Sequence, residues 1–173
     1  MLSTLYLMMI RIPFICSSLL LLSLVACNSD RPEANSSNTQ QSIEATSTAT
    51  VIDLTQVGCQ FLEVESQDYQ YDPQNADDCK EINAETLAAR EAGFKPLELK
   101  PGKYIFRVTN ANVSYPLGFY LRGKGVKKVT LPKVSGGGLT QGTTKDYEVN
   151  LVAGEYVFSC PLNPTPDYPV VVN

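Results

Sequence analysis

The chain has no histidine, and its three methionines all fall within the first nine residues. The first absence removes the commonest general base and most zinc ligand sets. The second leaves no thioether donor in the body of the chain. Nor is there an excess of basic charge: 14 Lys and Arg face 18 Asp and Glu, a net of −4. Mild acidity argues against nucleic acid as a partner, since affinity for a polyanion comes from neutralising its phosphates. Long apolar runs are missing too. The one candidate, Ile12 to Ala26, is too short to span a bilayer comfortably. No repeat or heptad pattern is present, and Gly136-Gly137-Gly138 lacks the Lys-Ser/Thr that a phosphate loop needs after it.

What the chain does have begins with that short run. Arg11 precedes it and Leu24-Val25-Ala26-Cys27 closes it, which is the layout of a secretory signal peptide over residues 1–26. Met8 and Met9 lie just before Arg11 and offer a second translation start. Leu-Val-Ala-Cys resembles the bacterial lipobox. That resemblance implies that Cys27 is diacylated and becomes the mature N-terminus; the alternative is an ordinary cleaved signal with an incidental cysteine. Two or more acyl chains, at ~0.8 kcal/mol per buried methylene, exceed reversible single-chain anchoring. The expected address is therefore the bacterial cell envelope, lipid-anchored on the periplasmic face of the inner or outer membrane. Only Arg11 among the charged residues lies in the leader, so the mature chain is one unit more acidic than the whole.

Residues 27–50 carry Ser, Thr, Asn and Gln with almost no large apolar side chain. Such a segment buries too little surface to offset its ordering entropy and reads as a flexible tether. The folded domain is expected over 51–173. Val51-Ile52-Asp53-Leu54 and Phe61-Leu62-Glu63-Val64 read as short strands. A helix is expected at about 76–92, capped by Asn75, stopped by Gly93, with Cys79, Ile82, Thr86 and Ala89 facing inward. Strands follow at Leu97–Leu99, Tyr104–Val108, Leu117–Leu121, Val126–Leu131, Thr144–Leu151 and Glu155–Cys160, with a last short one at the C-terminus. Pro101-Gly102 and Ala153-Gly154 supply turns, and Gly136-Gly137-Gly138 reads as a loop or crossover. Many short strands with one helical excursion predict a mainly β sandwich.

Beyond Cys16 in the leader and Cys27, three cysteines remain: Cys59, Cys79 and Cys160. An odd number in an oxidising compartment leaves one thiol over. Cys59 and Cys79 flank the excursion, and a bridge there would contribute about 3 kcal/mol for its loop length. Pairings of either with Cys160 remain open at this point. In the favoured case Cys160 is free.

Two segments carry a family resemblance. Val108-Thr109-Asn110-Ala111-Asn112-Val113-Ser114-Tyr115-Pro116-Leu117 and Gly154-Glu155-Tyr156-Val157-Phe158-Ser159-Cys160-Pro161-Leu162-Asn163 resemble the copper-ligand segments of the cupredoxins, of the plastocyanin and azurin type. The resemblance covers Leu97 to Asn173 and implies a Greek-key β-sandwich. It also implies where a type-1 copper site would sit. The first histidine slot holds Leu117, the cysteine is kept as Cys160, the second histidine slot holds Asn163, and the axial position falls between Pro166 and Tyr168. One ligand of that set survives, and type-1 copper needs two imidazoles beside the thiolate. No metal or cofactor is therefore expected.

Cys160 then reads either as a buried small hydrophobe or as a reactive thiol or lone metal ligand. Asn163 and Tyr168 could serve as surface contacts. Asp77, Asp78 and Glu81 read as a solvated helix face, because no loop spacing supports calcium. Arg122, Lys124, Lys127, Lys128 and Lys133 could meet anionic headgroups or an acidic partner, but are favoured as the charged edge of a strand. Tyr115, Phe119, Tyr120, Tyr156 and Tyr168 are mostly core. The function expected is non-enzymatic binding or scaffolding: a tethered domain presents Asn112–Leu117 and Pro161–Tyr168 to another envelope protein. The alternative is metal handling or electron transfer through Cys160, with ligands from a partner or a second copy. A third reading is a thiol redox protein.

Overall fold

The computed structural model describes residues 48–173. The expected signal peptide, Cys16, Cys27 and nearly all of the tether lie outside the described residues. Within them the chain is mainly β, in two mixed sheets. The first has the order β2 (Gln60–Phe61), β1 (Thr50–Val57), β4 (Gly102–Asn110), β7 (Thr144–Leu151). The second runs β3 (Leu97–Leu99), β9 (Tyr168–Val172), β8 (Gly154–Ser159), β5 (Leu117–Gly123), β6 (Val134–Leu139). Strand β1 is parallel to β4 and β3 to β9; the other pairs are antiparallel.

Strand β4 shows why the sheets face each other. Its residues alternate, Tyr104, Phe106 and Val108 buried, Lys103 and Arg107 exposed, as a pleat with one dry face requires. Phe106 of the first sheet stacks on Phe119 of the second at 5.5 Å between centroids, and Tyr147 meets Phe119 at 5.0 Å. Phe61 and Phe158 close the same core edge to face at 5.0 Å. Each such side chain contributes about 1.5–3 kcal/mol by leaving water.

The strand registers define two ends. Thr50 lies opposite Tyr104, Gly102 opposite Leu151, and Gly154 opposite Val172, so the first strand, two turns and the C-terminus share one end. Gln56 lies opposite Asn110 and Leu117 opposite Leu139, which puts the Gly58-Cys59 turn and the loop after β4 at the other.

A helix α1 (Leu62–Glu65) and a longer one, α2 (Ala76–Arg90), join β2 to β3. Asn75 caps α2 in a reciprocal box: its Oδ1 accepts from the Asp77 and Asp78 N–H groups, and the Asp78 carboxylate accepts from the Asn75 N–H. A 3-10 turn, Glu91–Gly93, finishes the helix. The expected inward stripe is corrected. Cys79 is buried, Ile82 and Thr86 are half-buried, Ala89 is exposed, and Arg90 is buried instead. Arg90 takes the inward place because an acid waits there, as described below.

Three further expectations change. Phe61-Leu62-Glu63-Val64 is not a strand: β2 is two residues long, and α1 turns Val64 into the core and Glu65 toward α2, ending at Ser66 in the left-handed region (φ 59). Val126–Leu131 is not a strand either. Gly125 at φ 57 starts a 3-10 turn, Gly125–Val129, so Lys124, Lys127 and Lys128 do not charge a strand edge. Conversely, Gly136-Gly137-Gly138 lies within β6, paired to β5 at the rim of the second sheet. Glycine is needed there because a Cβ at Gly136 would sit 2.9 Å from the Tyr147 ring.

Candidate functional site

The positions singled out from the sequence gather at the end away from Thr50. Leu117 opens β5, Cys160 follows β8, and Asn163 lies in the turn between β8 and β9. Thr165 closes that turn: its Oγ1 accepts from the Cys160 N–H at 2.9 Å, and its own N–H donates to the Cys160 carbonyl at 3.3 Å. Thr165 therefore closes the turn twice, once through its side chain and once through its backbone.

Cys160 is fully buried and unbridged. Its sulfur accepts from the N–H groups of Gly118 and Asn163, each at 3.3 Å. Burial pushes the thiol pKa above its ordinary 9.0, and those backbone donors only partly oppose the shift. The group is a neutral thiol at physiological pH, screened from solvent. Gly118 is fixed from the other sheet as well, where its carbonyl accepts from Gln56 Nε2 at 2.8 Å. A Cβ on Gly118 would lie 2.8 Å from the Gly136 carbonyl, so only glycine lets β5 and β6 close beside the sulfur.

Asn163 is fully buried, which corrects its reading as a surface contact. Its Oδ1 accepts from the Cys59 N–H at 3.2 Å and the Tyr115 hydroxyl at 3.0 Å, while Nδ2 donates to the Val57 carbonyl at 3.0 Å. The amide ties the β8–β9 turn to the end of β1. Tyr115 is held protonated, its pKa pushed up to about 12 chiefly by burial, then by Cys160 once that thiol ionises in alkali, and by the Asp78 carboxylate. Cys59 and Cys79 are bridged, Cα to Cα 5.1 Å, pinning the first turn of α2 beside Asn163.

Tyr168 is fully buried too, again not a surface contact. Its hydroxyl donates to Glu65 Oε1 at 2.5 Å and accepts from the Phe61 N–H at 3.3 Å. Burial first, and then Glu65, raise its pKa far above the ordinary 10.0. Glu65 in turn receives Arg90 in a two-pronged bond, Nε to Oε2 at 2.9 Å and Nη2 to Oε1 at 2.7 Å. The remaining Arg90 nitrogen, Nη1, donates to Asn83 Oδ1 at 2.7 Å and Thr86 Oγ1 at 2.8 Å, and Asn83 Nδ2 donates to the Pro164 carbonyl. Burial alone would disfavour the guanidinium charge, but Glu65 overcomes it and holds the pKa above its usual value. This network was missed from the sequence. The signal was present in Cys79, Asn83, Thr86 and Arg90, spaced four, three and four along α2: a polar stripe, where an apolar one was sought.

These residues do not fit a copper ion. Leu117 has no donor atom, both polar atoms of Asn163 are occupied by protein partners, and the Tyr168 hydroxyl is spent on Glu65 and Phe61. Among the described residues no group of three or more His, Cys, Asp or Glu is arranged to hold a metal.

The exposed part of this end is a shallow groove of about 300 Å³, floored by Gly118, Gly136 and Gly137 and walled by Leu162, Pro161 and Tyr120. Leu162 is 47% exposed. A larger groove, about 870 Å³, lies between the last turn of α2 and strands β8 and β9, lined by Leu87, Phe94, Arg122, Lys124, Asp167 and Pro169 among others. Arg122 and Asp167 are paired across it at 2.6 Å. In comparison with known proteins, no family model matches this chain and no curated protein matches it.

Proposed function

We propose that the chain is a lipid-anchored envelope protein whose Greek-key, cupredoxin-like sandwich binds another envelope component without metal. Cys27 carries the lipid, the segment before Thr50 is the tether, and the far end of the sandwich is the working face. One observation carries this reading: the chain enters the domain at Thr50, at the end opposite the apolar groove. A tethered domain so arranged holds Leu162, Pro161, Pro116 and Asn112 away from its attachment. The groove at this face is lined by glycine backbone and mostly apolar side chains, suited to docking; Asn163 and Tyr168 act from beneath, by fixing the loops that form the face.

Reactive-thiol chemistry is disfavoured by the burial and raised pKa of Cys160. Metal handling with donors from a partner would require the Leu162 turn to lift off the sulfur. Photo-crosslinking from Leu162 in intact bacteria tests the binding reading, and mass spectrometry of the N-terminal peptide tests the lipid. A discrete protein adduct from Leu162, lost when Pro116 is changed to Asp, is expected. Absence of any adduct would remove the binding role, and an unmodified Cys27 would remove the anchor.

A further inference from the structure

The end at which the chain enters is not bland. The 3-10 turn Gly125–Val129 carries Val126 and Val129 almost wholly in solvent, 91% and 82% exposed. They stand one 3-10 turn apart, so both side chains leave the same face. Lys127 and Lys128 lie between them on the turn, Lys124 just before it and Lys133 four residues after it; all are exposed, and none is in a salt bridge with a described residue. Lys100 and Lys103, at the turn into β4, add to the same end. No Asp or Glu occurs from residue 99 to residue 145 of this acidic chain. Glu91, Glu98, Glu148 and Glu155 reach the same end from other elements, four acids against the six lysines.

The turn is also held firmly. The Lys124 N–H donates to the Glu155 carbonyl at 2.9 Å, the Leu131 N–H to the Lys127 carbonyl at 3.0 Å, and Leu131 packs at Gly154. The valines are therefore displayed by a built structure. Exposed apolar side chains interleaved with exposed lysines are the chemistry of a peripheral membrane contact, apolar tips in the interface and ammonium groups at anionic headgroups.

We propose that this end docks on the surface of an anionic bilayer, with Val126 and Val129 entering the interface. The charge complementarity of these lysines commits it to lipid phosphate, and the position of Thr50 at the same end brings the surface within reach of the segment before it. The inference does not depend on lipidation of Cys27 or on the partner at the opposite face. It turns a loosely tethered domain into an oriented one.

The chain has no tryptophan, so a single substitution supplies a local reporter. The full chain carrying Val126→Trp is reconstituted into phosphatidylcholine vesicles with and without phosphatidylglycerol, and with brominated lipids. A blue-shifted emission, quenched by brominated lipid only where phosphatidylglycerol is present, is expected. It should be reversed by salt, and each of Lys124, Lys127 and Lys128 changed to Gln should weaken it about fivefold. Gln141→Trp, at the other end, should remain unquenched. Equal quenching at the two positions, or at Val126 in both lipids, would overturn the proposal. Protection of Val126→Trp by a protein, without lipid quenching, would likewise overturn it. The Cys27 mass and the Leu162 adduct remain separate readouts, so either reading can fail alone.

Discussion

Arg90 lies in the interior of this protein because Glu65 does: the two side chains meet through two bonds of 2.9 and 2.7 Å and are 3% and 1% exposed. Tyr69 and Tyr71 cover the guanidinium at 5.3 and 5.4 Å, completing its enclosure. A buried pair of this kind is costly to break, because removing one member strands the other. Arg90→Met should lower stability by about 3–5 kcal/mol. Arg90→Met with Glu65→Leu should recover part of that loss. Urea unfolding midpoints of the three proteins check it.

Alkali should unfold the domain for a defined reason. Tyr115, Tyr147, Tyr156 and Tyr168 all titrate above the ordinary 10.0, with burial the first cause in each, and Cys160 titrates above 9.0. Folded values above unfolded ones mean that the unfolded chain releases these protons first as pH rises. Their contribution is therefore intact below about pH 9 and declines as pH climbs toward the higher folded values. Tyrosinate absorbance of the native protein should lag that of the unfolded protein, and urea midpoints should fall between about pH 9 and about pH 12.

Cys160 should be silent to alkylating reagents in the native state and react only when the turn after β8 opens. The rate should rise with urea, in step with unfolding. Cys160→Ala removes the acceptor of two buried N–H groups, those of Gly118 and Asn163, and should cost about 1–3 kcal/mol.

The glycines beside the sulfur should rank by what a Cβ would meet. Gly118→Ala points into the Gly136 carbonyl at 2.8 Å and Gly136→Ala into the Tyr147 ring at 2.9 Å, whereas Gly137→Ala meets Leu162 at 3.5 Å. The first two should lose about 1–3 kcal/mol by overpacking. The third should be close to neutral. Thermal midpoints give the order.

Breaking the Cys59–Cys79 bridge by the double change to Ala should cost about 3 kcal/mol, the amount expected for a cross-link spanning 20 residues.

Strands whose residues alternate cleanly were legible, and β4, β7 and β8 lie where Tyr104–Val108, Thr144–Leu151 and Glu155–Cys160 indicate. The Asn75 cap was legible because its chemistry is local. What escaped was set by distant partners. Leu62–Val64 has strand composition, yet the chain turns there so that Glu65 can reach Arg90. Gly136–Gly138 has loop composition, yet Tyr147 and Leu162 need a strand without side chains beneath them. At the candidate site, position was readable and occupation was not. Asn163 and Tyr168 were placed from their motif, but their burial depends on Cys59, Val57 and Glu65, about a hundred residues away in sequence.

Helix α2 is riveted twice to one short stretch of chain, through Cys79 to Cys59 near its start and through Arg90 to Glu65 at its close. The ten residues that link that stretch to the helix are then dispensable as a connection. A peptide bond cut between Gln70 and Gln74 would leave the two pieces covalently joined and the helix seated. This link is the place where the chain could be nicked, lengthened or grafted while both ends of the sandwich stay in register.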